Sequence, residues 1–227
     1  MRPSDPTITR PYRVPAVELI GRRIRMVMGR SSGEPAIDEP VTIRPPEIEF
    51  IAYADDCLLT GHVRLEAARL SDLLNDHDEF ELVDVRVESL DGDRTLEVRD
   101  VVVERDELLI VHVAGPRGER ERRVRTRQHP LALGLGPYEV RGYLHALPGV
   151  DPISSFRHRR TMVPLTDAVI QYESAGARQQ AAASVVVVNR HRVDWVIQTH
   201  DEHVEMPDIP LVLPERGILA KDFTGSL

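Results

Sequence analysis

The 227 residues include one cysteine, one tryptophan and one lysine, and aromatic residues make up only 4% of the chain. Each scarcity excludes something. A lone Cys57 rules out an intrachain disulfide and a cysteine-built metal site. So few aromatic rings leave the core to Val, Leu and Ile. No run approaches the roughly 18 apolar residues needed to cross a bilayer, so no membrane span is expected. The opening MRPSDPTITRPYRVP has no apolar core of the secretory kind, and a cytoplasmic location is the expectation. Reactive motifs are missing too. Gly134-Leu135-Gly136-Pro137 lacks the third glycine and the lysine of a phosphate loop. There is no Gly-x-Ser-x-Gly and no His-Glu-x-x-His, so no catalytic residue and no cofactor is assigned.

What is present is a text written twice. Cys57 to Val113 and Tyr138 to Ile197 share Gly61 with Gly142, Val101–Val103 with Val186–Val188, and Arg105 with Arg190. The offset grows from 81 to 85 residues, so short insertions alone separate the copies. Four segments result: an N-terminal extension (1–45, partly disordered), an acidic β segment (46–116), a basic β segment (117–199), and an extended or disordered tail (200–227). The chain is therefore expected to be mainly β. It should hold two tandem five-stranded barrel-like or bent-sheet modules, each with one short helix, packed as a pseudo-dimer. Gly115 to Gln128 forms a short charged connector between them.

Turn chemistry divides each copy. Asp55-Asp56 and Gly136-Pro137 join the first two strands of their copies, Asp91-Gly92 makes a hairpin, and Arg105-Asp106-Glu107 breaks two late strands. Ser71 is positioned to cap one helical turn, and Asp151 followed by Pro152 caps another. In FELVDVRVESL, Phe80, Leu82, Asp84 and Arg86 alternate with Val83, Val85 and Val87, a period-two pattern with one apolar face. Gly61 and Gly142 fall mid-strand, where glycine marks a bend. In the extension, Val17, Ile20, Ile24, Val27 and Met28 recur at helical spacing, with a strand against the first copy as the rival.

The string Gly61-x-Val63-x-Leu65, then Arg69 through Asn75 (RLSDLLN), then Phe80, resembles a family of small uncharacterised bacterial proteins rich in β structure. Gly142 to His145, Met162 to Ala168 and Val187 to His191 resemble the same pattern. The second copy departs at the helix, and the first has Val85-Arg86 where Asp167-Ala168 would fall. The resemblance implies a fold and no activity.

Charge separates the copies most. Of the 29 basic residues 28 are Arg, and the net charge of −8 divides into +3 over 1–45, −13 over 46–116, +6 over 117–199 and −4 over 200–227. Candidate interaction residues are Arg120, Arg122, Arg123 and Arg125 in the connector and Arg157, Arg159 and Arg160 after the second helix. Asp76, Asp78 and Glu79 are their acidic counterparts in the first copy. Gly61 and Gly142 are structural. His200-Asp201-Glu202-His203 has two imidazoles at i, i+3 but no third ligand, so no metal site is assigned. Cys57 beside Asp55 and Asp56 reads as a buried strand residue, since those charges raise a thiol pKa.

Three functions compete. The first is a non-catalytic interaction or scaffold protein that self-associates head to tail through its acidic and basic copies. The second is a nucleic-acid-binding small barrel of the Sm-like type that uses the Arg clusters of the second copy. The third is an enzyme with a pocket between the copies lined by two or more of His62, His145, His158 and His191.

Overall fold

The computed structural model describes residues 27–28, 45–113 and 125–199. The strands are β1 (Val27–Met28), β2 (Glu47–Tyr53), β3 (Cys57–Arg64), β4 (Glu79–Ser89), β5 (Thr95–Glu104), β6 (Ile110–Val113), β7 (Arg127–Leu135), β8 (Tyr138–Ala146), β9 (Met162–Ser174), β10 (Ala177–Asn189) and β11 (Trp195–Gln198). Helix α1 (Leu70–Asp76) lies between β3 and β4, and α2 (Pro152–Arg157) between β8 and β9. From residue 47 to 113 the order is two strands, a helix, two strands, a 3-10 turn and a strand; it recurs from 127 to 198.

All the strands belong to one sheet, ordered β1-β5-β4-β3-β2-β6-β10-β9-β8-β7-β11, and every neighbouring pair is antiparallel. The mainly β expectation holds, but closure into barrels does not. Instead of returning to β5, β6 pairs with β10, which joins the two halves edge to edge. The reason lies in the sequence on either side: β6 and the end of β10 are Ile110–Val113 and Val186–Val188, apolar on both faces except for His112.

Two aliphatic cores result, and they exchange residues at the join. The first gathers Phe50, Leu59, Leu70, Leu74, Leu82 and Val103 from residues 47–113, yet also takes in Met162 and Val187. The second gathers Leu131, Leu133, Val140, Phe156 and Ile170, yet also takes in Tyr53, Leu109 and Ile110.

The expected single-phase alternation in β4 is overturned. Phe80 and Leu82 are buried, and so are Val85 and Val87, so the buried set changes phase at Asp84. Asp84 has φ 49°, and the β3–β4 register shifts opposite it between Thr60 and His62. This is a β-bulge, whose extra residue re-aims the following side chains and keeps all four in the core. Asp167 does the same in β9 at φ 48°, opposite the shift between Arg141 and Tyr143. Asp84, rather than Val85, thus stands where Asp167 does. Gly61 and Gly142 face these bulges at close range. A Cβ on Gly61 would lie 3.0 Å from the Val83 carbonyl oxygen, and one on Gly142 would lie 3.2 Å from that of Thr166.

Three local expectations need correction. Helix α1 starts at Leu70 with Arg69 as an N-cap that offers no side-chain bond, so Ser71 lies inside it. Burial of Leu70, Leu73 and Leu74 sets its phase, and that outweighs one capping bond. Val27 and Met28 form a strand on Val102 and Val101, the rival to a helix at these two positions, on an edge that offers unpaired backbone groups, while Val17, Ile20 and Ile24 lie outside the described residues. Strand β7 starts at Arg127, inside the expected connector. Asp151 caps α2 as expected, accepting from Ser154 N at 2.7 Å ahead of Pro152.

Candidate interaction site

The residues that meet between the halves come from α1, the β2–β3 turn and β6 on one side. On the other they come from β9, β10, the 3-10 turn after β10 and the start of β8. Asn75, at the end of α1, replaces a missing strand neighbour for Met162. Its Nδ2 donates to the Met162 carbonyl at 2.9 Å, and its Oδ1 accepts from Met162 N at 3.0 Å. The amide also donates to Ser71 O at 2.8 Å, which fixes its orientation on the helix. Asn75→Ala is expected to cost about 1–2 kcal/mol in urea unfolding, since both Met162 backbone groups lose their partner at once.

Ion pairs cross the join at Arg160 and at Arg192. Arg160 Nη2 reaches Asp76 Oδ1 at 2.6 Å and also donates to Asn75 O at 2.9 Å. Both side chains are more than half exposed, so this ion pair contributes little. Arg192 to Asp55 (2.6 Å) is better shielded, and the same guanidinium donates to Asp106 O at 2.9 Å. Of the residues named from sequence, Arg160 and Asp76 therefore meet each other across the halves. Asp78 pairs instead within its own half, with Arg105 at 2.8 Å. Arg159 is half-buried and donates to the His145 carbonyl. Arg157 is exposed and its carbonyl accepts from Arg190 at 2.9 Å. Arg125 and Glu79 are exposed. Arg120, Arg122 and Arg123, the pair His200 and His203, and the tail lie outside the described residues.

An aromatic cluster that sequence reading missed sits at the same join. Tyr53 packs edge-on against Tyr138 (5.3 Å between ring centroids) and Tyr172 (5.6 Å), and tilted against His112 (5.4 Å). Tyr138 also donates its hydroxyl to Ala54 O at 2.8 Å, a buried bond between the halves. Burial raises the pKa of all three tyrosines, so the cluster stays neutral. His112 is buried, its Nε2 finds no partner, and burial drives its pKa down to about 4. The scarcity of aromatic residues was the available signal: three of the five tyrosines are spent here.

Cys57 is fully buried in β3, and its thiol is pushed up to about 12 by burial and then by Asp56 and Asp55. Such a thiol is inert. His145 bonds to Thr166 Oγ1 at 2.9 Å and Thr126 Oγ1 at 3.2 Å, and burial followed by Arg159 lowers its pKa. His62 is half-buried in β3, while His158 and His191 are exposed. A shallow hollow of about 130 Å³ between α1 and β4, lined by Val63, Leu73, His77 and Phe80, contains none of these four histidines. Among the described residues no group of three or more His, Cys, Asp or Glu could hold a metal ion. No helix among them is long and apolar enough to cross a membrane.

Among the described residues the join has no counterpart at the two ends of the sheet: β5 carries Val27 and Met28 of β1 at one end, and β11 pairs with β7 at the other. No family model, no curated protein and no solved structure matches this chain.

Proposed function

We propose that this chain is a non-catalytic interaction protein, two homologous five-stranded modules packed as a pseudo-dimer, that associates with further copies head to tail. The observation that carries the reading is the β6–β10 pairing. An edge of the 47–113 half and an edge of the 127–198 half are built to fit each other, backbone and side chains alike. A strand of the β6 kind, β11, ends the described sheet on one side, and on the other the strand of the β10 kind, β5, is covered by β1. Opposite charge supports the same partner, because a field of −13 beside one of +6 attracts unlike halves and repels like ones. The chemistry of the described residues points the same way, with a thiol held unreactive and buried tyrosines held neutral.

Sedimentation velocity over a range of protein and salt concentrations tests this. Mass is expected to rise with protein concentration, and the association to weaken between low and moderate salt as the surface charges are screened. A monomer at low salt and high protein concentration overturns the reading.

A further inference from the structure

We infer that β11 of one chain adds to the β5 edge of a second copy, in the register that β6 adopts on β10, and displaces β1 to do so. This rests on the self-association proposed above and names the surfaces that carry it.

Consider first the strand that leaves each half. On β6, Val111 packs into the first core while Ile110 packs into the second, so the strand faces both halves. Ile110 is 0% and His112 8% exposed. β11 holds the same place beside β7 that β6 holds beside β2, with Val196 packed on the second core. Yet Trp195 is 43% and Ile197 51% exposed. These two residues stand where Ile110 and His112 stand, and among the described residues no strand pairs with β11 on its far side.

The receiving edge shows the complementary deficit. On β10, Val186, Val187 and Val188 are all buried, with Val187 reaching into the other half's core. On β5, Val101 and Val103 are buried in their own core but Val102 is only half-buried. The occupant of that edge copies the join closely. Val27 and Met28 pair with Val102 and Val101, while Val111 and His112 pair with Val187 and Val186. Among the described residues, β1 therefore occupies the β6-like position at two pairs where β6 makes three. It is a placeholder that a longer, more apolar strand can replace.

The aromatic residues fit the same scheme. At the join, Tyr53 of β2 reaches across to Tyr138 and Tyr172 of the next half, opposite Ile110 on β6. At the free end the bulk is transferred between the paired strands. Gly134 takes the β2-like position, and a Cβ there would run into the indole of Trp195, its β11 partner. The Trp195 indole thus lies over Gly134, where the Tyr53 side chain stands at the join, and among the described residues no strand covers it from the far side. Such an edge is a template for strand addition. Because it joins two different edges, the contact is heterologous, and repeated copies close into a ring or extend as a filament.

The register is explicit: Val196 should face Val102, with Trp195 opposite Val103 and Ile197 opposite Val101. Directly opposed Cα atoms across an antiparallel pair lie about 4.5–5.5 Å apart, inside the Cα range of a disulfide. Val102→Cys and Val196→Cys chains are therefore expected to yield a disulfide-linked dimer on mixing and mild oxidation. Either chain alone, or Val196→Cys mixed with Val98→Cys, should give none. Ile197→Asp places a charge on an exposed position, so folding should be unaffected while association weakens about tenfold or more. Replacing Val27 and Met28 together by proline weakens the hold of β1, and the apparent Kd should fall by the fraction of β5 edges that β1 keeps shut. An unchanged Kd overturns the part assigned to β1. Association that persists in Ile197→Asp without the Val102–Val196 disulfide overturns these edges and leaves self-association standing. A monomer under all conditions overturns both.

Discussion

Gly142→Val is expected to lower stability by about 1–3 kcal/mol, and Gly61→Val by a similar amount, because each forces a side chain against a bulged strand. A Cβ on Gly142 already meets the Ala168 Cβ and the Thr166 carbonyl oxygen at 3.2 Å, closer than ordinary contact. On Gly61 it meets Val83 O at 3.0 Å and Val85 Cγ2 at 3.1 Å. Valine adds two methyl groups beyond that point. Relief would require β4 or β9 to move outward, but both are paired on their far side, to β5 and β10. Gly142→Ala should cost much less, since the loss of unfolded-chain freedom offsets part of the contact strain. Urea unfolding of the two variants beside wild type checks this. A valine variant within about 0.5 kcal/mol of wild type would mean that the bulge relaxes and that the glycine is not required.

The glycines were legible in the sequence because an isolated glycine in an apolar run has few explanations. Their cause was not. The bulge at Asp84 left its trace in the order Phe80, Leu82, Val85, Val87, a slip of one residue in an otherwise two-residue period. A strict alternation ignores the slip, although aspartate is among the few residues that tolerate positive φ. The hairpin turns, the 3-10 break after β5 and the Asp151 cap depend on neighbours in the chain, and they were readable. The α1 start was not, because burying Leu70 against distant residues decided it. The join was legible only as opposite charge. It is made chiefly by Asn75, three tyrosines and apolar edges, whose partners are roughly 60 to 120 residues away. IVHV and WVIQ look alike as text. IVHV is largely buried with β10 beside it, while WVIQ, with no such strand among the described residues, leaves Trp195 and Ile197 exposed.

Acid is expected to destabilise the fold through His112 by about 2–3 kcal/mol between pH 7 and pH 4.5. Its folded pKa of about 4 lies below the ordinary histidine value of 6.5, and burial is the cause. As pH falls below 6.5 the unfolded chain takes up the proton and the folded chain does not. Stability is therefore unaffected by this group above about pH 7, drops through the window from 6.5 to 4, and levels off below it. Carboxylates add their own acid dependence, so the measurement is a comparison. Urea unfolding of His112→Phe against wild type should show the variant losing less stability over the same window by about that amount. Parallel losses in the two proteins would remove His112 as the cause. The position of the residue decides where the effect appears. His112 lies on β6, opposite Ile51 on one side and Val186 on the other, with its ring against Tyr53. Charging it sets an unpaired cation at the join between the halves, and the β6–β10 pairing should loosen before either aliphatic core. The corresponding residue on β11 is Ile197, which cannot titrate. A contact between chains through β11 and β5 should therefore persist at a pH that already loosens the contact within each chain. Sedimentation at pH 5, beside a probe of Tyr53 burial, separates the two events.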